Sequence, residues 1–187
     1  RALIEAKADI EKVGPQGFTA LMFSALNGHE QVARALIEAK ADIDKVGPNK
    51  MTALLFTAQN GHEQVARELI KARAAIDTQS NKGFTALMLS AQNGHDHVAR
   101  ALLGRRPTSR RSRMRAGPRL CTRRRTGMIR SPAQAKANIE AVENKGWTAI
   151  MFAAQGGHDL CARAMIEGKA NLEVQDSDQV TALNAAC

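Results

Sequence analysis

Residues 18–51 read FTALMFSALNGHEQVARALIEAKADIDKVGPNKM, and residues 51–84 read MTALLFTAQNGHEQVARELIKARAAIDTQSNKGF. Aligned, they share T-A-L, the string N-G-H-E-Q-V-A-R and an alanine-rich tail. Thr19, Thr52 and Thr85 stand 33 residues apart, as do Thr148 and Thr181. A Gly-His pair recurs at Gly28–His29, Gly61–His62, Gly94–His95 and Gly157–His158. A fixed period of this length marks a stacked repeat architecture.

One unit can be read from its local chemistry. A threonine before an apolar run is a good helix N-cap, so Thr19 opens a short helix over 20–27. Gly28 tolerates the left-handed backbone that ends it. A second helix runs over about 30–39, with Val32, Leu36 and Ile37 on its apolar side and Glu30, Arg34 and Glu38 toward water. Glu30 and Arg34 form a favourable pair one turn apart. Gly47–Pro48 signals a turn in the hairpin-like loop that follows. A single helix–turn–helix–loop unit cannot hide its apolar face, whereas stacked units can. The reading is therefore an all-α solenoid.

Composition agrees. The chain of 187 residues is 44% hydrophobic but only 3% aromatic, with no Tyr, which argues against a large ring-based core. No run of 18 apolar residues is present, so no membrane span is expected. No signal peptide is visible. The three Cys include no C-x-x-C pair, so neither a disulfide scaffold nor a zinc finger is supported, and a reducing intracellular setting is the default. The net charge is +9, yet residues 104–134 hold 11 Arg with no Lys and no acid; elsewhere 16 basic residues face 18 acidic ones. The basic character belongs to one segment.

These features resemble the ankyrin repeat family. The resemblance rests on the 33-residue period, T-A-L-M where the family has T-P-L-H, the A-x-x-G-H string and the A-D-I-D or N-I-E tail. It covers residues 1–103, a partial repeat and three recognisable ones, and 135–187, one full repeat and one partial. It implies a non-catalytic scaffold that holds a protein partner on a concave face and its loop tips. Two departures stand out. The family's histidine is Met22, Leu55, Met88 and Met151 here, which removes its usual hydrogen bonds. The family's glycine before A-D is Lys7, Lys40, Arg73, Lys136 and Lys169. A left-handed backbone at those positions costs on the order of 1 kcal/mol each. The chain begins inside a second helix and ends inside a first one, so it reads as a piece of a longer array or a truncated gene model.

Residues 104–134 interrupt the lattice. Thr85 and Thr148 are 63 apart, two periods less three. The segment has no helical or strand periodicity and reads as disordered. It also reads as a repeat in the wrong frame. Back-translated one base out of register, Arg113–Arg119 permits E-N-A-G-W-T-A, against E-N-K-G-W-T-A at Glu143–Ala149. The recovered threonine falls at position 118, which is 33 beyond Thr85. Thr126–Ile129 likewise permits G-H-D, as at Gly157–Asp159. The competing functional reading is binding of nucleic acid or another polyanion through residues 105–130. No aromatic is interleaved there for base stacking, so such binding would be nonspecific.

Catalytic constellations are missing from the sequence: no G-x-S-x-G, no phosphate-binding glycine loop and no H-E-x-x-H. The protein reads as no enzyme, with no cofactor and no metal. His29, His62, His95 and His158 sit a repeat apart and suit hydrogen bonding between repeats; His95, Asp96 and His97 are a weak metal signal. Cys161 aligns with Val32 and Cys187 with Ala25, so both read as small core residues, while Cys121 has no ligand partner. The aromatics fall in two columns. Phe18, Met51, Phe84 and Trp147 precede the threonines, with Val180 in the same column; Phe23, Phe56, Leu89 and Phe152 follow them by four. In ankyrin-like proteins these columns, with Leu26, Gln59, Gln92 and Gln155, lie on the partner-binding face. Packing between neighbouring repeats would produce the same periodicity. The expected partner is a protein, the expected state a monomer, and the expected location intracellular, cytoplasmic or nuclear.

Overall fold

The computed structural model describes residues 9–104 and 136–185. The readings placed on residues 1–8, 105–135 and 186–187, including the disorder, the frameshift, Cys121 and Cys187, lie outside the described residues. Among the described residues the secondary structure is helical, with one isolated bridge between Val142 and Thr148. Helices α1 (Ala20–Asn27) and α2 (Glu30–Glu38) form the first pair. Then come α3 (Ala53–Asn60) with α4 (Glu63–Lys71), and α5 (Ala86–Gln92) with α6 (Asp96–Leu102). Beyond the undescribed segment lie α7 (Ala149–Gln155), α8 (Asp159–Glu167) and the short α9 (Ala182–Ala185). The first helices pack in one row, α1 on α3, α3 on α5, α5 on α7 and α7 on α9. The second helices form a parallel row, α2 on α4, α4 on α6 and α6 on α8.

Local chemistry explains the units. The hydroxyl oxygens of Thr19, Thr52 and Thr85 accept the amides of Met22, Leu55 and Met88 at 3.3, 3.4 and 3.4 Å. Met88 replaces the lost histidine in part, because its sulfur receives the Thr85 amide at 3.5 Å. Thr148 makes no such cap, and its buried hydroxyl has no hydrogen-bond partner. Gly28 and Gly61 turn α1 and α3 with φ of 72° and 77°. The fingers between repeats close alike, by Gly14 N–H to Phe18 O, Gly47 to Met51, Ser80 to Phe84, Glu143 to Trp147 and Asp176 to Val180. At the Gly47–Pro48 turn, Asn49 and Lys50 both take positive φ, 55° and 56°.

The expected left-handed residues are left-handed at Lys40 (φ 63°), Arg73 (φ 67°) and Lys169 (φ 69°). At the end of α6, which stops earlier than its counterparts, Gly104 (φ 67°) is also left-handed. A glycine takes this conformation without the strain that a Cβ would bring.

The apolar stripe needs one correction. Leu36 and Ala33 are buried in α2, but Val32 is 49% exposed. Its column partners Val65, Val98 and Cys161 are buried because the preceding repeat covers them; no described repeat precedes Val32. The same geometry places the Cys161 thiol 3.9 Å from the Ser90 carbonyl of the repeat before it.

The stack is continuous in register across residues 105–135. Ala137 N–H donates to Leu102 O at 3.1 Å, as Ala41 does to Leu36, Ala74 to Leu69 and Ala170 to Met165, each at 3.0 Å. A second series links the loops. Carboxylates of Glu11, Asp44, Asp77 and Glu140 accept the amides of Asp42, Ala75, Asn138 and Asn171 at 2.7, 2.8, 2.7 and 2.8 Å. A third is made by histidines: the Nε2 atoms of His62, His95 and His158 meet the carbonyls of Leu26, Gln59 and Gln92 at 3.0, 3.2 and 3.1 Å. Each series crosses the interruption without changing partners.

Candidate protein-docking face

The first helices and the fingers together line one face. Phe56, Leu89 and Phe152 are 7–8% exposed and form its floor. Phe18, Met51, Phe84 and Trp147 stand half-buried at the finger bases, and the carboxamides of Gln59, Gln92 and Gln155 are exposed beside them. Two depressions of about 630 Å³ each result. The first gathers Phe18, Met51, Phe56, Gln59, Phe84, Leu89 and Gln92. The second gathers Phe84, Gln92, Trp147, Phe152 and Gln155. They share Phe84, Gln92 and Lys82, so the face is one continuous surface.

Two residues singled out by sequence fall outside these depressions. Leu26 packs half-buried against the core, and Phe23 is 43% exposed at the start of the described stack. The aromatics also join neighbouring repeats. Phe18 lies 5.0 Å from Phe23 and 5.3 Å from Phe56, centroid to centroid. Phe84 lies 5.2 Å from Phe152, and Trp147 5.1 Å from the same ring. Tilted ring pairs at such separations stabilise the packing they sit in. The same side chains therefore cement the repeats and surface the face.

The finger tips add polar groups. Lys82 and Asn81 edge the first depression, and Asn144, Lys145 and Asp178 edge the second. Glu143 and Asp176, both buried, are occupied internally. Glu143 Oε1 accepts the amides of Lys145 and Trp147, and Asp176 Oδ1 those of Asp178 and Val180. They hold the finger shape and leave the rim charge to Lys82, Lys145 and Asp178.

Chemistry of other kinds finds little to work with among the described residues. No group of three or more His, Cys, Asp or Glu stands close enough to hold a metal. His97 Nδ1 is 3.8 Å from Asp96, and His95 turns instead to the Gln59 carbonyl. Burial pushes the Cys161 thiol up to about 11, with the Asp96 charge adding to the shift and Arg100 opposing it. A protonated, enclosed thiol is a poor nucleophile. No described helix is long and apolar enough to cross a membrane.

The family model for ankyrin repeats, in three copies, matches residues 41–111 and 126–187, and the single ankyrin repeat model matches 16–48. No curated protein matches the chain closely enough to stand as a relative. Ankyrin repeats are in general protein–protein interaction modules, typically without enzymatic activity. Period, caps, paired helices and family models agree, and the chain belongs to the ankyrin repeat family.

Proposed function

We propose that this protein is a non-catalytic scaffold that holds a protein partner along the face of its first helices and fingers. The observation that carries this reading is the continuous apolar floor, rimmed by exposed carboxamides and running from Phe18 to Val180. Apolar pits flanked by neutral amide groups suit a segment of polypeptide. Its side chains fill the pits while Gln59, Gln92 and Gln155 pair with its backbone. The protein acts as an intracellular monomer in this reading.

The test is affinity capture with mass spectrometric identification, using Trp147→Ala and Gln92→Ala against Arg163→Ala. Arg163 is exposed on α8 and pairs with Asp159, 2.9 Å away on the same helix. Loss of a partner by more than tenfold with the first two, and its retention by Arg163→Ala, is the expected result; an aromatic anchor contributes about 2 kcal/mol or more. Equal capture by all three variants counts against the face. Phe56→Ala is a poor probe, since Phe56 is 7% exposed and its removal would damage the stack itself.

A further inference from the structure

Three of the four described inter-helix turns carry the dipeptide Asn-Gly, at Asn27–Gly28, Asn60–Gly61 and Asn93–Gly94; the fourth has Gly156–Gly157. Asparagine before glycine is open to attack from within, because no Cβ shields the glycine nitrogen. That nitrogen forms a bond to the asparagine Cγ, closing a succinimide ring. The bond from Cγ to the side-chain nitrogen breaks, and ammonia leaves with the proton that the glycine amide gave up through solvent. Water then opens the ring to aspartate or to isoaspartate, whose backbone is longer by one methylene. Water alone is consumed.

We propose that these three dipeptides form a row of spontaneous deamidation sites, each shut while its repeat joint is closed and opened when that joint frays. Every group the reaction needs is held in place. The side-chain nitrogens of Asn27, Asn60 and Asn93 donate to the carbonyls of Phe23, Phe56 and Leu89 at 2.9, 2.9 and 2.8 Å. The attacking nitrogens are engaged too: Gly28 donates to Ser24 O and Gly61 to Thr57 O. Asn27 and Asn60 are the last residues of α1 and α3, and a helical backbone keeps the next nitrogen away from Cγ.

The next repeat clamps each turn from outside. A Cβ built on Gly28 would stand 2.5 Å from His62, one on Gly61 2.6 Å from His95, and one on Gly94 2.6 Å from His158. The same imidazoles bond the preceding carbonyls. Opening a site therefore requires lifting the following histidine. Isoaspartate, once formed, lengthens the turn and places a new negative charge at a helix C-terminus, where it is unfavourable. The histidine then cannot reseat, and damage at one joint is locked in.

The sites are unequal. Asn93 lies one residue beyond α5, and Gly94 reaches back only three residues, to Ala91 O at 3.3 Å. Asn60 has the tighter turn, closed by Gly61 N–H to Thr57 O, although both sites have a described repeat on either side. In the folded chain Asn93 reacts faster than Asn60. In urea the difference disappears.

The experiment follows isoaspartate at each site by proteolysis and mass spectrometry, in the full chain at neutral pH with and without urea. Folding is expected to slow Asn60 by at least about tenfold, the minimum for a bond that opens only with its joint. Asn60 reacting at its denatured rate while folded, or Asn93 reacting more slowly than Asn60, overturns the proposal. His95→Ala frees the clamp over Gly61 and should accelerate Asn60 several-fold without changing Asn27; equal rates for Asn60 in variant and parent also overturn it. If that variant does not fold, an excluded osmolyte added to the parent gives the same reading, because it suppresses opening. Slower conversion of Asn60 supports the proposal, and an unchanged rate refutes it.

Discussion

Excision of residues 105–134, joining Gly104 to Ala135, should leave the stack intact and make it more stable. The hydrogen bond from Ala137 to Leu102 is the one that Ala41 makes to Leu36, but it closes 35 residues of chain where the ordinary repeat closes five. Taken as chain length alone, the difference in closure entropy is (3/2)RT ln 7, or about 1.7 kcal/mol. Excision restores the spacing of five and recovers that amount, which for a chain of this size is a rise of roughly 3–7 °C in Tm. Urea unfolding reads it with two probes. Helical circular dichroism follows the whole stack. Trp147, the single tryptophan, reports from the far side of the junction. Both transitions should coincide and move together to higher urea. An excised chain that is less stable, or one in which Trp147 unfolds before the helices, would refute the continuity of the stack.

Arg73→Gly should raise stability by up to about 1 kcal/mol, because a left-handed φ of 67° strains any residue with a Cβ; a drop in the urea midpoint would contradict this. Asp44→Ala removes the acceptor of the Ala75 amide and should lower stability by about 1 kcal/mol, measured the same way, with Asp44→Asn recovering part of the loss. Leu69→Ala, at a fully buried position, should lower it by about 2–5 kcal/mol. The Glu68 carboxyl is held below its ordinary value, chiefly by the hydrogen bond from Lys71 at 2.7 Å and also by Arg34, against the opposing effect of burial. Its contribution is complete above the ordinary carboxylate pKa and is lost as pH falls through the lowered folded value. Glu68→Gln should therefore flatten the acid limb of the stability profile; an unchanged limb would show that the pair is inert.

Features that act within one turn of chain were legible from the sequence. The caps at Thr19, Thr52 and Thr85 and the turns at Gly28 and Gly61 depend on residues three or four positions away, so the letters suffice there, whereas Thr148 makes no cap in the same sequence context. The left-handed Lys40 and Arg73 were readable too, since their column is glycine in the family. Val32 was misplaced because its burial depends on a neighbouring repeat and not on its own helix. The carboxylate series escaped notice for a similar reason: Asp44 looks like part of a short acidic tail, and its partner amide lies 31 residues on. On the proposed docking face the columns of Phe56 and Trp147 were visible, but periodicity alone did not separate floor from rim. The finger tips, with Lys82 and Asn144, repeat too irregularly to stand out.

The described seams reuse the same histidine-to-carbonyl and carboxylate-to-amide bonds, three of the first and four of the second, including where a long stretch of sequence intervenes. Such seams make the array tolerant of recombination. A crossover between two misaligned copies adds or drops a whole unit, and the junction it creates meets a histidine, a carboxylate and an amide already shaped for it. Copy number can then drift along a lineage without fresh compensation at each joint, and selection is left to act on the side chains of the proposed docking face.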